Sequence, residues 1–359
     1  MLFDPLTTAS SLQLANRTVM SPMTRSRAVD ANTPNALMAE YYGQRATAGL
    51  IVTEGTSPSP NGLGYARIPG LFNDAQVRGW KLVTDAVHAK GGKIFVQLMH
   101  TGRVSHLANL PAGAEVVGPT GEVCPGQMWS DSQGMQPHST PRAMTEADIA
   151  KAVGEYASSA KLAIEAGFDG IELHAANGYL IEQFLNGNVN TRTDGYGGSV
   201  EGRNRFALEV ARATAAAIGA HRVGIRLSPY GVFNSTGAFA EADAQFLALV
   251  KELSALGLHY VHLLDHSAQG APPVPAEAKA SLRAAFKGVF ILAGGFDADS
   301  AEAVLAAGQA DLIAFGRPFL ANPDLIARMR AHAPLNAVDM ATFYTPGPKG
   351  YTDYPTLAA

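Results

Sequence analysis

Cysteine is nearly absent from this sequence, since Cys124 is the only one among 359 residues. A single cysteine excludes an internal disulfide, and it cannot hold an iron–sulfur cluster by itself. The scarcity of cysteine therefore favours a reducing compartment, and we expect a cytoplasmic protein.

Three other features are missing from the chain. No run approaches the roughly 18 apolar residues that a membrane-spanning helix needs, and the start, Met1-Leu-Phe-Asp-Pro5, lacks the basic and apolar regions of a signal peptide. Charged residues make up only 16% of the chain, with a net charge of −4 and no basic block. We therefore expect neither a membrane nor a nucleic acid as a partner.

The residues that are present predict an ample core, because 47% of them are hydrophobic. Short apolar runs alternate with helical patterns, and glycine follows many of the helices, as a left-handed cap requires. The pattern repeats eight times without a change of composition, which predicts one (β/α)8 TIM barrel over residues 1–359. A doubly wound sheet is the alternative, but no Gly-x-Gly-x-x-Gly follows an early strand.

The predicted elements follow from these patterns. Strands are expected over residues 18–23, 50–56, 93–100, 170–174, 223–228, 260–265, 289–293 and 311–315. Helices are expected over residues 36–48, 76–90, 145–166, 199–218, 241–256, 275–286, 297–307 and 323–330, with a capping box at Thr145 and Asp148 and a cap at Ser199.

Two segments depart from this rhythm. Residues 101–144, after the third strand, are rich in glycine and proline and predict a loop or lid excursion. The last segment, residues 331–359, contains a stretch rich in tyrosine, glycine and proline, and we expect it to fold over the barrel mouth.

Polar side chains gather where the fourth strand ends. Glu172 and His174 share one face of that strand, and Asn177 and Tyr179 follow in the loop. Active sites of barrels lie at the ends of strands, so we interpret His174, Asn177 and Tyr179 as a site. Taken singly, they could instead be a structural histidine, a turn asparagine and a loop anchor. Zinc is not indicated, because asparagine is a poor ligand and metal spacing is missing.

A Gly-Gly pair follows the seventh strand, and a Gly-Arg pair follows the eighth. Gly294-Gly295 and Gly316-Arg317 stand where barrels often bind phosphate. Glycine lets backbone N–H groups approach an anion, and arginine supplies a cationic fork. The alternative interpretation is ordinary turn glycines and a surface arginine.

Two polar residues are expected to point into the barrel. Arg226 lies between Ile225 and Leu227, and Gln97 between Val96 and Leu98, so alternation turns both inward. A buried arginine needs an acceptor, which could also be a structural partner such as Glu172. A phosphate site, a cation and an amide around one mouth fit flavin mononucleotide (FMN) better than a sugar phosphate.

At this point the chain resembles the Old Yellow Enzyme family of FMN-dependent ene-reductases, from Asn16 to Pro355. The resemblance implies a TIM barrel, tightly but noncovalently bound FMN, and reduction of activated C=C bonds by NAD(P)H. The motifs that carry it are Ser21-Pro-Met-Thr-Arg25, Gln97-Leu-Met-His-Thr-Gly-Arg103, residues 167–185, Arg192-Thr-Asp-Gly-Tyr-Gly-Gly-Ser199, Arg226-Leu-Ser-Pro229 and Ala314-Phe-Gly-Arg-Pro318.

The resemblance also implies a role for each matching residue. Those expected to bind the flavin are Pro22, Met23, Thr24, Gly55, Gln97, Arg226, Gly294, Gly295, Gly316 and Arg317. Those expected in the substrate pocket are His174 and Asn177 on the acceptor oxygen, Tyr179 as proton donor, and Phe343 and Tyr344 at its border. Thr24 matches the classical members of the family, which have threonine and not cysteine at this position and which we call Thr-type. Met99 stands where many members have tryptophan.

The implied reaction is a ping-pong cycle with NAD(P)H as hydride donor and small activated alkenes as substrates. Hydride would pass from flavin N5 to Cβ of an unsaturated carbonyl, imide or nitroalkene, and Tyr179 would protonate Cα. We expect a monomer or homodimer. Two rivals are a barrel lyase or isomerase, which lacks an obvious Schiff-base lysine, and a non-catalytic flavin-binding protein. A relative that uses dienoyl-CoA and an iron–sulfur cluster is disfavoured by the single cysteine.

Overall fold

Eight parallel strands close into a barrel, which confirms the predicted fold class. The computed structural model describes residues 1–357. The barrel strands are β1 (Thr18–Met20), β2 (Leu50–Val52), β3 (Ile94–Leu98), β4 (Gly170–Ala175), β5 (Val223–Leu227), β6 (Tyr260–Leu264), β7 (Val289–Ala293) and β8 (Leu312–Phe315).

The register aligns polar side chains from neighbouring strands. Each strand pairs with the next one in sequence, and β8 pairs with β1. His174 lies beside Arg226, and Arg226 lies beside His262. Glu172 lies beside Gln97 across the β3–β4 pair. One sector of the barrel interior is therefore polar.

Helices separate the strands along the chain. They are α1 (Ala36–Gln44), α2 (Asp74–His88), α3 (Glu146–Glu165), α4 (Leu180–Leu185), α5 (Val200–Ile218), α6 (Ala242–Leu256), α7 (Ala276–Ala285), α8 (Ala298–Ala306), α9 (Arg317–Ala321) and α10 (Leu325–Arg330). The capping box of Thr145 with Asp148 and the cap at Ser199 are confirmed. Helices α4 and α9 are too short to show a helical period in the sequence, and we did not predict them. None of the described helices is both long and apolar enough to cross a membrane.

Several predicted boundaries were wrong; strand β2, for example, ends at Val52 and not at residue 56. Two of the differences have a cause in hydrogen bonding. Strand β1 ends at Met20, not at residue 23, because Pro22 has no N–H for the ladder. Helix α1 ends at Gln44, not at residue 48. Asn16 binds the Thr47 carbonyl and the Gly49 N–H instead, and these bonds draw the chain out of the helix.

The strands separate two apolar regions. Leu173, Ile225 and Leu227 belong to the cluster between the strands and the helices. Phe95 and Tyr260 belong to a second cluster, which fills the bottom of the barrel. The side chains alternate between the two, as the period of a strand requires.

The two segments that interrupt the strand–helix pattern contain some regular structure. Residues 101–144 include an antiparallel hairpin of Gln127–Ser130 with Gly134–Pro137. The terminal segment is fastened to the chain after β1, because Arg25 and Arg27 both donate to the Phe343 carbonyl. Residues 358–359 of the predicted terminal segment lie outside the described residues. The division into one domain with a lid stays a prediction.

Candidate active site

A cavity of about 630 Å³ opens at the carboxyl ends of the barrel strands. Of the predicted site residues, only Gly55 is missing from its lining. The predicted residues that line it are Pro22, Met23, Thr24, Gln97, His174, Asn177, Tyr179, Arg226, Gly294, Gly295, Gly316, Arg317, Phe343 and Tyr344.

Gly55 has a steric role that we did not predict. A Cβ atom at residue 55 would lie 2.5 Å from the Sδ atom of Met99. Met99 lines the cavity, and Gly55 lies behind it. The glycine therefore makes room for the Met99 side chain, and its place near the flavin edge stays a prediction.

His174 and Asn177 both line the cavity. Within residues 1–357, His174 Nδ1 and Asn177 Oδ1 have no hydrogen-bond partner although both are buried. Burial, assisted by the nearby Arg226 charge, lowers the pKa of His174 well below its usual range. His174 is therefore neutral and offers a single N–H.

A strained loop carries Asn177. Its φ is +59° and that of Gly178 is +74°, a region that asparagine tolerates and glycine adopts freely. The Asn177 N–H donates to Ser228 Oγ at 2.9 Å, and the Gly178 N–H donates to Glu182 Oε2 at 2.6 Å. Burial raises the pKa of Glu182 to about 8, although the Gly178 N–H and Ser228 oppose the rise.

Tyr179 has a hydroxyl partner that sequence reasoning missed. Its oxygen lies 3.0 Å from the Tyr65 hydroxyl, and its ring meets that of His174 edge-on at 4.9 Å. Burial raises the pKa of Tyr179 to about 12, so its proton is retained at neutral pH. The two tyrosines are 114 positions apart, and no spacing in the sequence connects them.

The polar sector below the cavity is organised by Glu172. Gln97 Nε2 donates to it at 2.8 Å, the Tyr260 hydroxyl at 3.0 Å and His262 Nδ1 at 2.8 Å. Burial would raise the pKa of Glu172, but the neighbouring His262, Arg226 and Gln97 outweigh it and lower the pKa. Glu172 is therefore ionised. Glu172, Tyr260 and His262 were not among the predicted site residues.

Arg226 is available for a ligand. Its Nε atom is buried and has no partner in the described part of the chain, and no ion pair joins it to Glu172 there. The alternative interpretation, a structural pair with Glu172, is therefore not supported. Burial lowers the pKa of Arg226, but an arginine stays charged.

The opposite end of the cavity is built by glycines. Gly294 and Gly295 have φ values of +156° and +76°. A Cβ atom on Gly295 would lie 2.5 Å from Ala268 Cβ, and one on Gly294 would lie 2.9 Å from the Asp265 carbonyl oxygen. Gly316 and Arg317 complete this wall. The glycine cradle, together with the unpartnered Arg226 Nε and the amide of Gln97, fits FMN.

Comparisons with known proteins agree with this geometry. A sequence model of the NADH:flavin oxidoreductase / NADH oxidase family matches residues 1–336. A 12-oxophytodienoate reductase 1 from Oryza sativa subsp. japonica is 43% identical over 354 residues, which cover 96% of this chain and 90% of the relative.

Two solved structures share the fold over nearly their whole length. A morphinone reductase in complex with tetrahydroNAD superposes with a TM-score of 0.94 at 45% identity, over 99% of this chain and 98% of that one. An Old Yellow Enzyme homologue from Zymomonas mobilis gives a TM-score of 0.95 at 39% identity, over 99% of both chains. The chain thus belongs to the NADH:flavin oxidoreductase / NADH oxidase family, as its resemblance to Old Yellow Enzyme predicted, and is an FMN-dependent ene-reductase with a nicotinamide hydride donor.

Proposed function

We propose that this enzyme reduces the activated C=C bond of α,β-unsaturated carbonyls, imides and nitroalkenes in a ping-pong cycle. The observation that carries the proposal is the convergence of His174, Asn177 and Tyr179 on one cavity wall. His174 is neutral and can donate one N–H, and the Asn177 side chain carries an NH2 group that can donate. Such donors next to a flavin site suit a substrate with a polarisable oxygen.

The chain's own residues would hold FMN tightly and noncovalently. Gly294, Gly295, Gly316 and Arg317 would bind its phosphate, and Gln97 and Arg226 would bind the ring edge. Pro22, Met23 and Thr24 line the same cavity, and the Thr24 hydroxyl would donate to the ring as in the Thr-type members. When bound, FMN accepts a hydride from NAD(P)H and passes it to the β-carbon of the alkene.

His174 and Asn177 would hydrogen-bond the carbonyl or nitro oxygen of the substrate. Negative charge develops on that oxygen when the β-carbon receives hydride. Neutral donors fixed in a dry cavity stabilise this charge, and each is worth about 3 kcal/mol. The neutrality of His174 does not weaken this role, because a single N–H suffices.

Tyr179 would deliver a proton to the α-carbon. Its pKa of about 12 keeps the phenol protonated, and the Tyr65 hydroxyl at 3.0 Å orients it. The relatives support this assignment of reaction type, since their names denote reductases of 12-oxophytodienoate and morphinone. The complex of a structural neighbour with tetrahydroNAD supports a nicotinamide as the donor.

A single cavity supports the ping-pong order, because the nicotinamide and the alkene would need the same space beside the flavin. The segment 101–144 would act as a lid. Phe343 and Tyr344 of the terminal segment border the cavity and would limit the width of the substrate.

The experiment is an anaerobic rapid-mixing study of the purified protein. We expect a yellow protein that releases FMN on mild denaturation, is reduced by NADPH or NADH, and is then reoxidised by 2-cyclohexenone. A colourless protein that takes up no FMN would contradict the cofactor assignment. A flavoprotein that NAD(P)H reduces but that none of the three alkene classes reoxidises would contradict the proposed substrates.

A further inference from the structure

Two buried side chains outside the cavity lining hold the loop that carries Asn177 and Tyr179. Glu182 is 1% exposed on α4, and Ser228 is 1% exposed just after β5. The Ser228 hydroxyl lies 3.1 and 3.0 Å from the two carboxyl oxygens of Glu182. We call these two residues the carboxyl–hydroxyl clamp.

The clamp contacts consecutive backbone groups of the loop. The Asn177 N–H donates to Ser228 Oγ at 2.9 Å, and the Gly178 N–H donates to Glu182 Oε2 at 2.6 Å. Tyr179 is the N-terminal cap of α4, yet its side chain makes no capping bond. Glu182, the third residue of this helix, instead accepts from the N–H of Gly178, just before the cap, and so ties the loop to the start of the helix.

The conformation of Asn177 makes such support necessary. A non-glycine residue with φ of +59° carries a backbone cost of about 1 kcal/mol or more unless its surroundings impose it. The Asn234 amide also holds the Asn177 carbonyl, at 2.7 Å. The Asn177 backbone is thus fixed from both sides, while its side chain lines the cavity. Such a side chain is preorganised for a ligand.

We infer that Glu182 and Ser228 are positioning residues for the reaction, because they fix Asn177 and Tyr179 in the orientation that receives the substrate oxygen. The inference rests on the proposed function, which assigns the oxygen to His174 and Asn177. Neither clamp residue lines the cavity. Glu182 and Ser228 therefore affect substrate binding only through the loop. Their contribution should disappear in a variant whose residue 177 lacks the carboxamide.

A double-mutant cycle with a phenolic probe tests whether the clamp residues act through Asn177. 4-Hydroxybenzaldehyde binds as a phenolate whose oxygen mimics the charged substrate oxygen, and its stacking on oxidised flavin gives a long-wavelength absorption band. The variants are Ser228→Ala, Asn177→Ala and the double variant, all as FMN-loaded full-length protein. Ser159→Ala is the matched control, because Ser159 is a buried serine on α3 that donates to the Leu71 carbonyl.

We expect Ser228→Ala to weaken probe binding about tenfold, as loss of one well-placed hydrogen bond does. In the Asn177→Ala background the same change should have almost no further effect. Ser159→Ala should bind as the wild type does, and FMN content should be equal in all variants. Glu182→Ala, which removes the carboxyl that contacts Gly178 and Ser228, should repeat the result of Ser228→Ala and keeps the test decisive if one variant fails to fold.

Two outcomes would overturn the inference alone: unchanged affinity in both Ser228→Ala and Glu182→Ala, or a loss that is fully additive with Asn177→Ala. A wild-type flavoprotein that does not bind the phenolate would instead overturn the proposed function, and the inference with it.

Discussion

At the scale of single residues, Tyr179 separates proton delivery from the other steps. Its hydroxyl contacts that of Tyr65 and belongs to the wall that carries His174 and Asn177. Tyr179→Phe keeps the ring and removes the acid. Reduction of enones should fall by roughly 10²–10⁴-fold, while flavin reduction by NAD(P)H should stay close to the wild-type rate. Separate rapid-mixing measurements of the two half-reactions check this.

The control for this prediction is Tyr65→Phe. This variant leaves the proton donor in place and should cause a smaller loss of enone reduction than Tyr179→Phe. Equal slowing of both half-reactions in Tyr179→Phe would show that the ring packs the site and does not deliver the proton.

The close contact between Gly55 and Met99 predicts that the Met99 side chain limits the width of the cavity. A Cβ atom at residue 55 would lie 2.5 Å from Met99 Sδ, so Gly55→Ala should push this flexible side chain into the cavity. We expect KM for bulky enones to rise severalfold, with less change for small ones. Gly43→Ala is the control, because its Cβ atom meets Ala86 Cβ at an ordinary 3.4 Å. A substrate profile identical to that of the wild type would contradict the prediction.

At the scale of elements, the buried Glu182 carboxyl on α4 should make the stability of the fold depend on pH. Burial raises the pKa of Glu182 from 4.5 to about 8. Between these two values the folded protein keeps a proton that the unfolded chain has lost. The free energy of unfolding should therefore fall as pH rises from about 4.5 to 8, by at most about 1.4 kcal/mol per pH unit.

The measurement is chemical unfolding of the wild type and Glu182→Gln at pH 5.5 and 8.5. The amide resembles the protonated acid and cannot ionise, so the variant should gain stability relative to the wild type as pH rises. Glu165→Gln, an exposed change of the same type at the end of α3, should keep the slope of the wild type. A slope that is unchanged in Glu182→Gln would refute a titrating carboxyl at this site.

At the scale of the whole molecule, the terminal segment is fastened by buried arginines. Arg27 donates to the carbonyls of Thr342 and Phe343 at 2.7 and 2.6 Å, and also to that of Lys349 at 3.1 Å. Arg27→Met would leave these acceptors unsatisfied at about 1–3 kcal/mol each. Because Phe343 lines the cavity, FMN should dissociate faster.

FMN fluorescence after dilution and limited proteolysis of the terminal segment measure this effect. Arg78→Met removes an exposed arginine from α2 and should change neither the dissociation rate nor the cleavage pattern. Unaltered FMN retention in Arg27→Met would show that the terminal segment does not close the site.

The barrel as a whole could be predicted because its signals in the sequence are local. Alternation along β3 and β5 placed Gln97 and Arg226 inward, and the structure has both on the cavity wall. The strand period, the capping box of Thr145 and the glycines after helices are local signals, which neighbouring residues determine. Short helices such as α4 and α9 were not predicted, because five or six residues show no clear period. Helix α10 also has six residues, and it was located only within a longer predicted helix over residues 323–330.

The sequence by itself determined the eightfold strand–helix order, the inward faces of β3, β4 and β5 and the residues that follow the strands, since these depend on local periodicity. Tertiary structure alone decided which distant groups meet: Tyr65 with Tyr179, Glu182 with Ser228, and Arg27 with the terminal segment. These pairs are 114, 46 and about 315 positions apart. Contacts at such separations leave no period in a single sequence, because only the closed barrel brings the loops together.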